Sequence, residues 1–293
     1  MKLLKQVLRG ILARLRSGLH CAARPVYRAL KWDVATIAGC RALVRVDPFT
    51  LFGRELLKTG ERPTEAFTIP LMKQLLRPGD VYADVGAHWG TYTVVASELV
   101  GDKGQVLAIE PTPQNRARLL ENIALNQAKN VTVEPVAIGE SSGKGVLRFG
   151  GDSGNLSALQ LADGPNAAAD MQSCEVATLA AVLDRNNVPR VRLMKMDIEG
   201  GECRASRDVC QYTDRFDCIY IELHPPFANP AEDGSFLYRM LGEGRLLVVA
   251  DCAGRRFVPV RSREEFDSKI GLYYFFSARA DGEMKSLLEN FRW

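Results

Sequence analysis

Residues 81–90 read Val-Tyr-Ala-Asp-Val-Gly-Ala-His-Trp-Gly, and this stretch decides the fold. Val81–Val85 has the length and the β-branched and aromatic content of a buried strand, and it stops at a glycine. Gly86 lets the chain turn sharply behind the strand, and Gly90 lets the backbone come close to a ligand where a helix begins. A second strand, Gln105–Ile109, ends on Glu110-Pro111, 26 residues after Asp84. In parallel sheets ligands sit at the carboxyl ends of strands, at the point where the strand order reverses. A carboxylate there, with two oxygens, can accept from two neighbouring ribose hydroxyls. The pair therefore reads as the nucleoside half of a ligand site.

Outward from this pair, strands and helices alternate. Thr64 is placed to cap a helix to Leu76, which Arg77-Pro78-Gly79-Asp80 ends in a turn. Helices are expected over 91–100 and from Thr112-Pro113 to Asn126, with Thr112 as N-cap and Pro113 in the first helical position. Further strands are expected at 131–138, 191–196, 218–222, 246–250 and 272–277, and helices at 178–184 and 235–241. Residues 139–173 read as a hairpin around 146–149 followed by a loop. Seven strands buried on both faces and separated by helices make an α/β fold, a doubly wound, mostly parallel seven-stranded sheet. The domain is expected over 64–293, with 33–63 as a small irregular or β-containing lead into it.

The 293 residues can bury a full core as one large domain with appendages. A net charge of +3 gives no reason to expect nucleic acid as a partner. The charge is unevenly spread: residues 1–32 carry eight Lys or Arg and no acid, which leaves 30 basic against 35 acidic residues in the body. In this basic helical N-terminal arm Leu3, Leu4, Val7, Leu8, Ile11, Leu12, Leu15 and Leu19 recur at helical spacing. Arg9, Arg14 and Arg16 interrupt the apolar centre a secretory signal needs. The arm reads as a helix packed on the domain, as an interfacial helix on an anionic membrane, or as a transit peptide. No apolar run approaches the ~18–20 residues that cross a bilayer. Seven scattered cysteines, never in a C-x-x-C pair, point to reduced thiols rather than to a disulfide framework or zinc. The expected location is cytoplasmic, with the arm as the candidate for peripheral membrane contact.

A dinucleotide site wants G-x-G-x-x-G to seat a pyrophosphate. Here the spacing is D-x-G-x-x-x-G, with an acid where a phosphate would be repelled. An acid suits a ligand with a cationic ammonium and sulfonium end. Three segments also carry a resemblance: Asp84-Val-Gly-Ala-His-Trp-Gly-Thr-Tyr-Thr, Val106-Leu-Ala-Ile-Glu-Pro with the following Leu119–Asn126 helix, and Met194-Lys-Met-Asp-Ile-Glu-Gly-Gly-Glu. Together they resemble class I S-adenosylmethionine-dependent methyltransferases, and more narrowly the FkbM family, over residues 64–278. The resemblance implies a Rossmann-like fold, S-adenosyl-L-methionine as cofactor, and O-methylation, commonly of a sugar or polyketide hydroxyl. His88 stands where the family usually has Asn, and reads either as a cofactor contact or as a loop residue facing solvent or capping the helix. The cofactor-binding candidates are Asp84, Gly86, His88, Gly90 and Glu110.

A second acidic cluster, Asp197, Glu199 and Glu202, follows the strand at 191–196. Asp197 and Glu199 share a face if the chain is extended, and Asp197 falls at the strand end beside the expected methyl group. Glu202 fits equally well as an ordinary acid at a helix start. Lys195 is read as pointing away from Asp197 and is left out of the site. His224 ends the next strand, and its ordinary pKa near ~6.5 suits a general base. The catalytic candidates are Asp197, His224 and Glu199, with His224 or Asp197 as the base. These residues lack the tight spacing of metal ligands, and no metal is assigned. The acceptor, a small molecule or glycan, is expected against residues 150–172 and 227–235. Two rivals stand beside this reading. The turn spacing disfavours a nicotinamide-dependent oxidoreductase, and the acids at three strand ends disfavour a non-catalytic S-adenosylmethionine-binding protein.

Overall fold

The computed structural model describes residues 23–31, 33–150, 156–160, 171–224, 230–269 and 274–293. Most of the basic arm lies outside them; its described part is helical over 23–29 (α1). The lead-in segment forms a hairpin, β1 (Val34–Thr36) and β2 (Leu43–Arg45), then α2 (Leu51–Thr59). There follow α3 (Thr68–Leu75), β3 (Val81–Val85), α4 (Thr91–Val100), β4 (Gln105–Ile109), α5 (Pro113–Leu125), β5 (Val131–Glu134) and β6 (Ala137–Ile138). Next come β7 (Gly143–Gly150), β8 (Leu156–Gln160), β9 (Met171–Ala177), α6 (Leu179–Arg185), β10 (Val191–Met196), α7 (Glu202–Val209) and β11 (Phe216–Glu222). The chain ends with α8 (Pro230–Leu241), β12 (Arg245–Asp251), β13 (Arg256–Val260), α9 (Arg263–Asp267), β14 (Tyr274–Arg279) and α10 (Gly282–Asn290).

The central sheet runs β13-β12-β14-β11-β10-β3-β4-β5. Strands β5, β4, β3, β10 and β11 are parallel, and β14, β12 and β13 add antiparallel pairs. From β3 the chain steps outward through β4 and β5, then returns to β10 on the other side. The switch point therefore lies between β3 and β10, where Val85 pairs with both Ile109 and Met196. Helices cover both faces because the strands are apolar throughout: Tyr82, Val106, Leu193 and Phe276 belong to one core, and Ala83, Leu107, Met194 and Phe275 to the other. Each such fully buried Val, Leu, Ile, Phe or Met contributes roughly 1.5–3 kcal/mol.

The sheet has eight strands where seven were expected. The added one, β13, sits at the edge, the place where a strand tolerates Pro259. The strand expected over 131–138 divides at Pro135, which has no N–H to continue the ladder. Beyond it β6 joins a second sheet, β6-β9-β7-β8, built from the expected hairpin and its return. The helix expected from Thr64 starts later, at Thr68, after a 3-10 turn over Pro63–Glu65. Thr112 does precede α5, but its side chain makes no capping bond.

The lead-in segment is not a separate piece. Ile37, Val44, Val46 and Leu56 lie in the same core as Val94 and Val95 of α4. Asn122 of α5, fully buried, accepts from the Arg45 amide at 2.7 Å and donates to the Trp89 carbonyl at 2.7 Å. That one side chain fixes the lead-in hairpin and the ligand turn to the same helix.

Candidate active site

At the carboxyl edge, β3 leaves the sheet through Gly86, whose φ is +88°. The amides of Gly86 and Ala87 donate to the Ile109 carbonyl at 2.9 and 3.0 Å. A Cβ on Gly86 would stand 1.9 Å from the Asp197 carbonyl oxygen. Glycine here lets the exits of β3 and β10 touch. His88 follows in the left-handed region (φ 51°), its ring stacked on Trp89 at 4.7 Å and edge-on to Phe52 at 5.3 Å. Its amide donates to Glu110 Oε2 at 2.9 Å, and the Thr112 amide donates to Glu110 Oε1 at 2.8 Å. Burial pushes the Glu110 carboxyl above its ordinary range, and the Thr112 and His88 amides draw it part of the way back.

Glu110 is thus aimed by the two backbone amides, and the side chains of Thr112 and Asn115 also approach its carboxylate. Thr91 and Thr112 line the same cleft, and among the described residues the buried Thr91 hydroxyl has no hydrogen-bond partner, while that of Thr112 acts on Glu110. A buried hydroxyl left unpaired costs about 1–3 kcal/mol. A polar nucleoside in the cleft would satisfy the Thr91 hydroxyl, so the residues present fit S-adenosylmethionine.

Two candidates do other work than expected. Asp84 is 1% exposed, does not line the cleft, and accepts from Thr93 Oγ1 at 2.5 Å. Burial raises its carboxyl, opposed by Lys195 and Thr93. It ties α4 to β3 beneath the site instead of meeting the ligand's cationic end. Gly90 caps α4 at φ +82°, and a Cβ there would stand 2.4 Å from Leu119 Cδ1. It permits close packing of α4 on α5 and does not itself line the cleft.

The second half of the site lies at the end of β10. Lys195, 2% exposed, donates from Nζ to Asp197 Oδ2 at 2.8 Å and sits over the Tyr92 ring at 5.1 Å. Residues two apart on a strand share a face. Lys195 therefore belongs to the site, contrary to the expectation that it points away. Burial opposes its charge, but Asp197, Glu65 and Asp84 hold the ammonium above its ordinary range. Burial likewise works against ionised Asp197, and Lys195 overcomes it and keeps that carboxyl below its ordinary range.

Beside them, Glu202 is fully buried at the start of α7. It accepts from the amides of Ile198 at 3.0 Å and Gly200 at 3.0 Å, and meets His224 Nδ1 at 3.2 Å. This is more than helix-start chemistry: Glu202 clamps the loop after β10 and orients the histidine. His224 Nε2 faces Glu199 Oε2 at 3.5 Å, Glu222 Oε1 at 3.7 Å and Asp197 Oδ1 at 4.0 Å. Burial disfavours its charge, yet Glu202, then Asp197 and Glu199, raise it to about 9. The acids gathered around the ring favour its protonated form, which speaks against the role of general base expected of it.

Of the expected site residues, Gly86, His88, Glu110, Asp197 and Glu199 line one cleft, and His224 stands directly behind Asp197 and Glu199. Phe52, Arg62, Tyr92 and Lys195 also line it and were not anticipated. Lys195 was legible from strand alternation; nothing local in the sequence marks Phe52 or Arg62. Of the segments expected to meet the acceptor, 151–155, 161–170 and 227–229 lie outside the described residues. The second sheet contributes Ala137, Ile138 and Leu147 to the lining.

A mostly parallel sheet with a buried carboxylate after β4 and a lysine–aspartate pair after β10, both on one cleft, is the arrangement of a class I S-adenosylmethionine-dependent methyltransferase. Residues 84–246 match the methyltransferase FkbM domain, over half of the chain, and the protein belongs to that family. Its cofactor is S-adenosyl-L-methionine. The chain is similar to the hexuronic acid methyltransferase AglP of Haloferax volcanii, 26% identical over 162 residues, 55% of this chain and 62% of that protein. It is also similar to the ribosomal protein L11 methyltransferase of Geobacillus kaustophilus, 28% identical over 127 residues, 39% of this chain and 38% of that protein. The chain thus spans less than two thirds of either relative. Among solved structures, the methyltransferase FkbM from Methylobacillus flagellatus KT aligns over 77% of this chain and 52% of its own, with 14% identity and a TM-score of 0.44. Among the described residues no helix is long and apolar enough to cross a membrane.

Proposed function

We propose that this protein O-methylates a hydroxyl of a sugar, glycolipid or polyketide-type small molecule. The observation that carries the reading is the Lys195–Asp197 pair at 2.8 Å, lining the same cleft as Glu110. S-adenosylmethionine, when bound, supplies a methyl group activated on a sulfonium. Glu110 would accept from the ribose, and the hydroxyl of Thr91 would find a partner on the same ligand. The protein's remaining task is to align an acceptor oxygen and take its proton as the bond forms. Lys195 occupies Oδ2 of Asp197, and the neighbouring Asp197 and Glu199 carboxylates together would align the acceptor hydroxyl and take its proton.

Adjacent carboxylates suit an acceptor that presents hydroxyl donors and disfavour a polyphosphate backbone. The likeness to a hexuronic acid methyltransferase speaks for a glycan. The arm, with basic residues and leucines at helical spacing, suits an anionic membrane surface that would carry a lipid-linked acceptor. The test is transfer from methyl-labelled cofactor into fractionated glycan and lipid extracts, followed by analysis of the labelled bond. A base-stable methyl ether supports the reading, whereas label only on nitrogen or as a carboxyl ester overturns it.

A further inference from the structure

We propose that Asp197, Glu199 and His224, with Glu222 as a fourth ligand, form a binding site for one divalent transition-metal ion. One donor atom from each of the first three lies within 4.8 Å of the others. His224 Nε2 stands 3.5 Å from Glu199 Oε2, 3.7 Å from Glu222 Oε1 and 4.0 Å from Asp197 Oδ1. These separations are too long for good hydrogen bonds. Two ligands each about 2.1 Å from one ion lie roughly 3–3.5 Å apart, so closure needs shifts of about 1 Å or less per side chain, within reach of small rotations.

The outward atoms are the ones presented, because the others are already held. His224 Nδ1 is engaged by Glu202 Oε1 at 3.2 Å, and Asp197 Oδ2 by Lys195 Nζ at 2.8 Å. Glu202 is itself fixed by the Ile198 and Gly200 amides. A carboxylate behind the imidazole and a donor behind the aspartate are what orient ligands at metal centres.

Glu222 supplies an independent observation. It is 9% exposed, and among the described residues its buried Oε2 has no hydrogen-bond partner. Its other oxygen is the one 3.7 Å from His224 Nε2. Oε1 faces the carboxylates of the cluster, and a cation among them would offset their mutual repulsion. One imidazole with carboxylate oxygens suits Mn²⁺, Fe²⁺ or Zn²⁺. Asp197 and Glu199 line the cleft, so a coordination position left open there would face the acceptor and make its hydroxyl more acidic. That last role rests on the hydroxyl acceptor proposed above; ion binding itself does not.

The test strips the full-length chain with chelator and titrates it with Mn²⁺ and Zn²⁺ by calorimetry, and with Mn²⁺ by pulsed electron paramagnetic resonance. The expected result is one Mn²⁺ per chain with nitrogen coupling from a single imidazole. His224→Gln should remove that coupling and weaken binding at least tenfold, and Glu202→Gln should weaken it about 10–100-fold. Unchanged S-adenosylmethionine affinity certifies the fold of each variant, and the wild-type spectrum decides alone if a variant fails to fold. Absence of binding below millimolar Mn²⁺ or Zn²⁺ overturns the site, as does bound Mn²⁺ without nitrogen coupling. If an ion binds as described and no hydroxyl is methylated, the site stands and the acceptor reading falls.

Discussion

Gly86→Ala probes the contact on which both halves of the site depend. Gly86 has φ +88°, and its new Cβ would stand 1.9 Å from the Asp197 carbonyl oxygen and 2.9 Å from the carbonyl carbon. An ordinary carbon–oxygen contact is about 3.3–3.6 Å, so the two backbones must separate by more than about 1 Å. They are not free to do so. The Gly86 and Ala87 amides are tied to Ile109, and the Asp197 amide to Val85 at 2.9 Å. Gly79 provides the control, with φ +96° and nothing within 4 Å. Gly79→Ala isolates the cost of a left-handed alanine, about 1 kcal/mol. The overpacking at Gly86 adds about 1–3 kcal/mol, for a total near 2–4 kcal/mol. Denaturant unfolding of both variants reads this difference, and calorimetry reads whether displacing the Asp197 peptide also costs cofactor affinity. If Gly86→Ala lies within about 0.5 kcal/mol of Gly79→Ala, the contact between strand exits does not carry the load assigned to it.

Glu110→Gln replaces one accepting oxygen with an amide group that must face either the His88 or the Thr112 amide. A hydrogen bond to a charged group is worth about 1.5–3 kcal/mol, so S-adenosylmethionine affinity should fall roughly 10–100-fold by calorimetry; unchanged affinity removes Glu110 from the ribose site. Asn122→Ala leaves the Arg45 amide and the Trp89 carbonyl without their partner, and thermal unfolding should show a loss of about 2–4 kcal/mol. Removing residues 1–22 should abolish co-sedimentation with anionic vesicles while S-adenosylmethionine affinity holds; sedimentation that persists locates the membrane contact elsewhere.

Much of this was legible because local chemistry and global fold agree at the sheet. The turn at 81–90, the strand ending at Glu110 and the strand ending at Asp197 are short buried runs punctuated by glycine, acid or proline, and all three stand where they were placed. The particular duties of Asp84 and Gly90 were not legible. Each is set by a residue distant in sequence or on another face, Thr93 for the acid and Leu119 for the glycine. Phe52 and Arg62 reach the cleft only because the lead-in hairpin docks on α5 through Asn122, which no periodicity reports. The ring of carboxylates around His224 also comes from three separate stretches, after β10, at the start of α7 and at the end of β11. The ordinary pKa of a histidine says nothing about how many acids the fold gathers around it, so the pull toward the protonated form at His224 was not legible.

The most direct test of the central claim compares wild type with Asp197→Ala for transfer of labelled methyl from S-adenosylmethionine to an acceptor found in the glycan and lipid screen, with cofactor affinity measured alongside. The account predicts that the variant binds S-adenosylmethionine and transfers nothing. Full transfer by Asp197→Ala would contradict it.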